Sequence, residues 1–294
     1  MHPATGGLAG QAAPPITVQQ ALAQASAAGL DSLDAQWLLC HLLLQPRSWL
    51  RSHADTPLPA AITLAFTSGC QRLGQGEPLA YLLGTQGFHS LLLQVTPDVL
   101  VPRPDTETLV DWALALLPTL VTVDKPSPRV LDLGTGSGAV ALAVAHRWPA
   151  AQVSATDVSP AALAVAQANA SRLALPVAFA AGDWWQAVPV GSRFELLLSN
   201  PPYIAGDDPH LPALRHEPLL ALSPGGDGLD ALRAIIGGAP GHLAAGGWLL
   251  LEHGWDQAAA VAGLLQDAGF GQISSRVDLA GRPRCTGGRW AKPA

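Results

Sequence analysis

Cysteine is scarce: three in 294 residues, Cys40, Cys70 and Cys285, far apart and without a Cys-x-x-Cys spacing. That argues against both a disulfide framework and a cysteine-built zinc site, and leaves reduced thiols of a cytoplasmic protein. Positive charge is also short, with 16 Lys and Arg against 22 Asp and Glu, a net charge of -6. Such a chain offers no broad field for phosphates, so long duplex nucleic acid is a poor partner and no stable nucleic-acid complex is expected, although a local basic patch stays open. No apolar run reaches membrane-spanning length, and residues 1–15 lack the basic start and apolar core of a signal peptide. A soluble cytoplasmic monomer without membrane contact is expected. What the chain has in quantity is apolar matter, 49% of its residues, enough for one large domain or for two.

Residues 1–16, rich in Ala, Gly and Pro and without periodicity, read as a disordered tail. From Thr17 the pattern turns helical: Val18, Leu22 and Ala25 share one face and, after Gly29, Leu33, Trp37, Leu38 and Leu42 share another. Helices over 47–53 and 59–73 complete a small bundle, 17–86, that reads as a recognition or packing module. His41 and His53 have no second ligand at helical spacing and read as surface or partly packed residues. Phe88 to Val95 and Val99 to Val101, around Thr96-Pro97-Asp98, predict a hairpin, and 87–101 is the candidate linker. Pro104 suits a helix entry, Asp105 or Thr106 can cap it, and Glu107 favours the positive end of the dipole, so a helix to about Leu117 is predicted. Arg103, between two prolines, is not explained by a helix start; it reads as a brace for a ligand or for the loop at Asn200.

From Arg129 strands and helices alternate, as in a doubly wound parallel sheet. Strands are predicted over 129–133, 152–156, 177–180, 194–198 and 247–252, and a terminal antiparallel hairpin over 273–277 and 286–290 completes a mostly parallel seven-stranded α/β domain, 102–294. Ligands of such sheets sit at the carboxyl ends of the strands.

Two of those ends carry the chemistry. Gly134-Thr135-Gly136-Ser137-Gly138 follows the first strand, and Asp157 ends the second, where an acid can bind both ribose hydroxyls. The spacing is G-x-G-x-G and not the G-x-G-x-x-G that packs a helix on a pyrophosphate. This favours a nucleoside cofactor without phosphates, and S-adenosylmethionine fits, with Asp183-Trp184 over the adenine. A nicotinamide dinucleotide is the alternative. At the fourth strand the apolar run to Leu198 and Ser199 stops at Asn200-Pro201-Pro202-Tyr203. Neither proline donates a backbone hydrogen bond and Pro202 biases Pro201 to extended geometry, so the loop is rigid. It can be a proline turn capping a buried strand, or a grip for a planar amide or amine. In the second reading Asn200 Oδ1 and the Pro201 carbonyl accept the hydrogens of the attacking nitrogen and Tyr203 packs on its flat face. Neither a catalytic His nor a metal is expected.

With Val101-Pro102-Arg103-Pro104-Asp105-Thr106-Glu107, Leu131-Asp132-Leu133 before the glycines, Gly182-Asp183-Trp184 and Glu252-His253-Gly254-Trp255, the chain from about Thr17 to its end resembles the bacterial release-factor glutamine methyltransferases, the family often called HemK or PrmC. The resemblance implies a Rossmann-like class I methyltransferase fold and N5-methylation of the glutamine in the Gly-Gly-Gln motif of class I peptide release factors. It implies that Gly134 to Gly138, Asp157, Trp184 and Asn200 bind the cofactor and that Asn200 to Tyr203 bind the glutamine, while the helical bundle helps to recognise the release factor. Arg215-His216-Glu217-Pro218 fits a sister family, which methylates a glutamine of a large-subunit ribosomal protein, at least as well. Adenine-N6 methylation of nucleic acid is a further alternative, because the same loop can hold an exocyclic amine.

Overall fold

The computed structural model describes residues 15–123 and 125–291, which fall into two units, one ending at Leu83 and one beginning at Gly84. The stretch read as a tail lies outside the described residues up to residue 14; Ile16 is described, and its carbonyl accepts from Leu58 N at 2.8 Å.

The first unit comprises α1 (Val18–Ala27), α2 (Ser32–Leu43), α3 (Arg47–Ser52), α4 (Ala60–Gly74) and α5 (Leu79–Leu83). Thr17 and Gln20 cap α1 reciprocally, Gln20 N donating to Thr17 Oγ1 and Thr17 N to Gln20 Oε1. The core is built from Val18, Ala21, Ala25, Ala35, Leu38, Leu39, Leu50, Leu58 and Phe66. At Gly69 a Cβ would stand 2.7 Å from Leu38 Cδ2, so glycine lets α4 lie this close to α2 without displacing the Leu38 side chain. The buried face of α2 is only in part the one expected: Leu38 and Leu42 join the core, but Leu33 and Trp37 do not. Leu33 and Trp37 are 45% and 46% exposed, while Ala35, Leu38 and Leu39 are buried. Because α2 is apolar around most of its circumference, periodicity does not single out the inner face. The Trp37 ring instead carries the Arg47 guanidinium, 5.7 Å from its centroid. His53 stacks on Trp49 at 4.1 Å.

The second unit runs β1 (Thr85–Phe88), β2 (Leu91–Gln94), α6 (Glu107–Leu120), β3 (Arg129–Leu133), α7 (Ala139–Arg147), β4 (Gln152–Asp157), α8 (Pro160–Leu173) and β5 (Val177–Ala181). It continues with β6 (Phe194–Ser199), α9 (Leu219–Leu222), α10 (Asp230–Gly238), β7 (Leu243–Glu252), α11 (Ala258–Asp267), β8 (Phe270–Val277) and β9 (Pro283–Trp290). The predicted hairpin exists but turns elsewhere: β1 and β2 pair about His89–Ser90, both at positive φ, and not about Thr96-Pro97-Asp98. A two-residue turn of that kind ordinarily needs Asn or Gly. Here α6 holds it, Glu107 Oε1 accepting from His89 N at 3.0 Å and Asp111 meeting the His89 ring at 3.0 Å.

The seven-stranded sheet has the order β5-β4-β3-β6-β7-β9-β8. Strands β3 to β7 are parallel, and β9 runs antiparallel between β7 and β8. One face packs against α6 and α7 through Leu109, Trp112, Leu142, Val144, Leu196, Leu198 and Leu250. The other packs against α10 and α11 through Leu131, Leu133, Leu197, Leu249, Leu232, Ile235 and Val261. Alternate residues of β6 thus feed two cores, which is why a continuous apolar run was needed there. β7 begins at Leu243, four residues before the predicted start, across an irregularity in its pairing with β6; Gly246 sits at φ 79°, so the stretch reads as a turn in sequence. In register, Leu133 pairs with both Thr156 and Ser199. Gly134, Asp157 and Asn200 therefore leave three adjacent strand ends side by side, at the point where the strand order reverses.

Candidate active site

A cavity of about 470 Å³ opens at these strand ends. Of the residues read as functional, Gly134, Thr135, Gly136, Ser137, Asp157, Trp184, Asn200 and Pro202 line it, with Asp183. Gly138, Pro201 and Tyr203 are not in its wall. At Gly138 (φ 86°) a Cβ would come within 2.9 Å of Leu142 and 3.3 Å of Ala166, so this glycine serves the packing of α7 on α8. Gly136 (φ 56°) is the opposite case: a Cβ there would meet nothing within 4 Å, leaving backbone open for close approach of a ligand.

Asp157 braces that loop. Its Oδ2 accepts from Gly136 N at 2.8 Å and its Oδ1 from Ser159 N at 2.9 Å. An ionised carboxylate has about four acceptor sites, so both oxygens keep capacity for hydroxyls. Trp184, at positive φ, lays its ring against Gly134, where a Cβ would stand 3.3 Å from Cζ3. Asp132, one residue before the end of β3, is buried, accepts from Thr135 Oγ1 at 2.6 Å, and has its carboxyl pushed up to about 7 by desolvation, with the Asp157 charge adding.

The Asn200 side chain is oriented from below. Its Nδ2 donates to Thr106 Oγ1 at 3.1 Å, which leaves Oδ1 as the group offered to a ligand. Tyr203 Oη donates to Glu252 Oε1 at 3.3 Å, and the Thr106 hydroxyl, near the same carboxylate, favours its ionised form. Glu252 is buried at the end of β7 with Oε2 unpaired; desolvation pushes it up to about 7, opposed by the Thr106 hydroxyl and by Arg284. Burial and the neighbouring Glu252 charge push the Tyr203 phenol up. Arg284 pairs with Asp105 at 3.0 Å and with Asp278 at 3.2 Å. The two residues expected to cap α6 are thus used otherwise: no side chain caps it, because Asp105 faces Arg284 and Thr106 faces Asn200 and Glu252. Thr106, Asp132, Glu252 and Arg284 escaped the sequence reading as site residues. The available signal was a lone acid inside or ending an apolar strand, at Asp132 and Glu252.

Arg103 lines the cavity, and its tie is to Glu217 and not to Asn200. Its guanidinium pairs with Glu217, whose other oxygen accepts from Val101 N at 3.1 Å. Glu217 lies in the segment following the Asn200 loop and its side chain is 2% exposed. Pro218 and Leu220, just after it, line the cavity, as do Pro102 and Arg103, so the pair ties two segments of the lining together.

The lining suits one kind of cofactor. Among the described residues it carries five aspartates, Asp98, Asp132, Asp157, Asp183 and Asp230, against one cation, Arg103, already engaged by Glu217. A pyrophosphate would meet like charge there, whereas a cationic, phosphate-free nucleoside meets opposite charge. The open backbone at Gly136, the spare acceptors of Asp157 and the unpaired, buried Thr156 Oγ1 fit S-adenosylmethionine.

Residues 106–254 match the family model of the methyltransferase small domain and residues 17–84 that of the PrmC N-terminal domain. The release factor glutamine methyltransferase of Bordetella pertussis is 50% identical over 262 residues, covering 88% of this chain and 95% of the relative. That of Burkholderia pseudomallei is 48% identical over 271 residues, covering 90% and 93%. Two solved structures share the fold: the delta-N METTL16 methyltransferase domain, with a TM-score of 0.52 at 14% identity over 69% of this chain and 89% of that one, and the T. thermophilus 16S rRNA N2 G1207 methyltransferase in complex with AdoMet and guanosine, with 0.51 at 20% identity over 70% and 49%. Identity at this level, sustained over nearly the full length of relatives that carry one name and spanning both units of the fold, settles the matter: the chain belongs to the release factor glutamine methyltransferase family.

Proposed function

We propose that the protein transfers the methyl group of S-adenosylmethionine to the side-chain amide nitrogen, N5, of the glutamine in the Gly-Gly-Gln motif of class I peptide release factors. The observation that carries this reading is the hydrogen bond from Asn200 Nδ2 to Thr106 Oγ1. With its N–H end occupied, Asn200 presents a carbonyl oxygen, the complement of an incoming amide N–H, beside a loop built for a cationic nucleoside.

The cofactor supplies an electrophilic methyl on a positively charged sulfur. The chain supplies position. Asn200 Oδ1, in the cavity wall, accepts a hydrogen bond from the glutamine amide, and the adjoining Pro201 carbonyl is the second acceptor although Pro201 itself lies outside that wall; Pro202 stiffens the loop, and Tyr203, also outside the wall, supports it from Glu252 in place of packing on the amide face. An amide nitrogen is a poor nucleophile, so alignment is the main resource, and alignment of bound reactants can contribute about 7 to 11 kcal/mol. The nitrogen becomes acidic only as the methyl arrives, so its surplus proton is lost to water and no strong base is needed. Gly134, Thr135, Gly136 and Ser137 pass along the cofactor, Asp157 holds its ribose and Trp184 covers its base, with Gly138 shaping the loop from the helix side.

Residues 102–294 carry the reaction, 17–86 recognise the protein substrate, 87–101 connect them and 1–16 are dispensable. The match of residues 17–84 to a domain named for this family supports the second assignment. A net charge of -6 supports a protein rather than a nucleic-acid partner. No helix among the described residues is long and apolar enough to cross a membrane; a cytoplasmic monomer is part of the proposal.

The test is mass analysis of the release factor's Gly-Gly-Gln peptide after incubation with enzyme and S-adenosylmethionine, with a large-subunit ribosomal protein and DNA in parallel. One methyl on the glutamine is expected, absent with Asn200→Ala. Label confined to the ribosomal protein or to adenine would overturn the assignment.

A further inference from the structure

Pro201 and Pro202 leave the Asn200-to-Tyr203 loop short of backbone donors, so what fixes its acceptors acts from its ends. At the near end Asn200 Nδ2 donates to Thr106 Oγ1 at 3.1 Å. At the far end the Tyr203 carbonyl accepts from Gln257 Nε2 at 3.0 Å, and the oxygen of the same amide, Gln257 Oε1, accepts from Gly254 N at 2.9 Å. A backbone N–H only donates and a carbonyl only accepts, so the orientation of the Gln257 amide is fixed from both sides. Ile204, next in the chain, is gripped as well: its N donates to Leu222 O at 3.0 Å and its carbonyl accepts from Ser223 Oγ at 2.6 Å. At Gly228 (φ 79°) a Cβ would collide with Tyr203 O and stand 3.1 Å from Gln257 Nε2, so bare backbone covers the bond between Gln257 and Tyr203.

Gln257 stands at the N-cap of α11, yet its side chain makes no capping bond to that helix. Glutamine is not among the residues that cap well, and here its amide turns from its own helix to the loop after β6. A side chain that serves a distant loop in place of its own element marks a functional position. We infer that Gln257 is a positioning residue for methyl transfer: it fixes the far end of the Asn200-to-Tyr203 loop to the segment leaving β7, and so sets where the Asn200 and Pro201 acceptors stand. The inference rests on the proposed glutamine methylation and deepens it. Gln257 is not in the cavity wall, so its effect reaches the reaction through the loop. The Tyr203 ring meets the same segment, its Oη donating to Glu252 Oε1 at 3.3 Å. The exit of β7, from Glu252 to Gln257, thus holds both the ring and the carbonyl of Tyr203.

The experiment uses the full chain, saturating S-adenosylmethionine and intact release factor, with single-turnover rates read against release-factor concentration and S-adenosylhomocysteine as the binding probe. Gln257→Met keeps the length of the side chain and removes both bonds. Gln257→Glu, at about pH 8 where the introduced carboxyl is ionised, keeps the acceptor for Gly254 N and removes the donor for Tyr203 O. In both, the maximal rate should fall about 10- to 100-fold, the effect of a displaced positioning group, while the release-factor concentration at half-maximal rate stays within about twofold. Affinity for S-adenosylhomocysteine should stay at the wild-type value. A wild-type maximal rate in either variant, a loss confined to the half-maximal concentration, or a matching fall in S-adenosylhomocysteine affinity overturns the inference. Should one variant not fold, the other decides alone; should neither fold, Gln257 belongs to the fold and the inference is overturned. If wild-type enzyme leaves the release-factor glutamine unmethylated, the proposed function fails and takes this inference with it, whereas active wild type beside full-rate variants overturns the inference alone.

Discussion

Gly136 and Asp157 hold each other: the Gly136 N–H donates to Asp157 Oδ2 at 2.8 Å, so the side chain placed to bind a ribose also sets the curve of the glycine loop. Ligand binding and loop shape are therefore coupled through one carboxylate. Asp157→Ala should weaken S-adenosylhomocysteine binding by about 10- to 100-fold, the loss of one or two charge-assisted hydrogen bonds. Calorimetric titration measures it; an affinity within a factor of two of wild type would remove Asp157 from the site.

Two glycines of the same loop should separate binding from stability. Gly138→Ala forces a left-handed alanine against Leu142 at 2.9 Å and should cost about 2 to 3 kcal/mol in a urea melt, combining left-handed strain with overpacking. Gly136→Ala has open space around the new methyl and should cost about 1 to 2 kcal/mol, yet it places that methyl where the ligand approaches, so most affinity for S-adenosylhomocysteine should be lost. Equal stability losses with equal retained affinity would contradict the distinction.

The contrast also shows what was legible in the chain. Gly134 to Gly138, Asp157 and Asn200 to Tyr203 could be read because each sits directly after an apolar strand, and a doubly wound sheet brings such ends together by topology alone. Thr106 was invisible for the opposite reason. Its partner Asn200 lies 94 residues away, and locally Asp105-Thr106-Glu107 is indistinguishable from a helix cap. The rule for caps failed where tertiary contacts at the site claimed the same side chains. The hairpin turn at His89–Ser90 failed similarly, because what permits it is α6 and not its own residues. On α2 the misreading has a different origin: when nearly all faces are apolar, the buried one is chosen by what packs against it.

Arg103 and Glu217 join the cavity walls before α6 and after β6. Removing the guanidinium leaves a buried carboxylate with, among the described residues, only the Val101 N–H. Arg103 is itself 39% exposed, so the loss should fall short of that for a fully buried pair, about 1 to 3 kcal/mol for Arg103→Met. Because the pair braces the rim and not Asn200, KM for the release factor should rise more than kcat falls. A variant whose kcat collapses at unchanged KM would place Arg103 at the reaction itself.

Asp132 should make stability fall as pH rises. In the unfolded chain its carboxyl ionises from its ordinary 3.8, whereas in the fold desolvation and the charge of Asp157 hold it protonated to about 7. Between those values the native state binds more protons than the unfolded one, so the native state loses stability with increasing pH, by about 4 kcal/mol once both forms are ionised. Asp132→Asn cannot ionise and should escape that loss. In paired urea melts its stability relative to wild type should rise from the acidic to the alkaline side of the window; a difference independent of pH would refute the burial argument. The same carboxyl lines the cavity, where a cationic ligand would favour its ionised form. The stability that Asp132→Asn gains above neutrality should therefore be accompanied by weaker binding of S-adenosylmethionine, because a neutral amide cannot return the attraction that offsets the desolvation of Asp132.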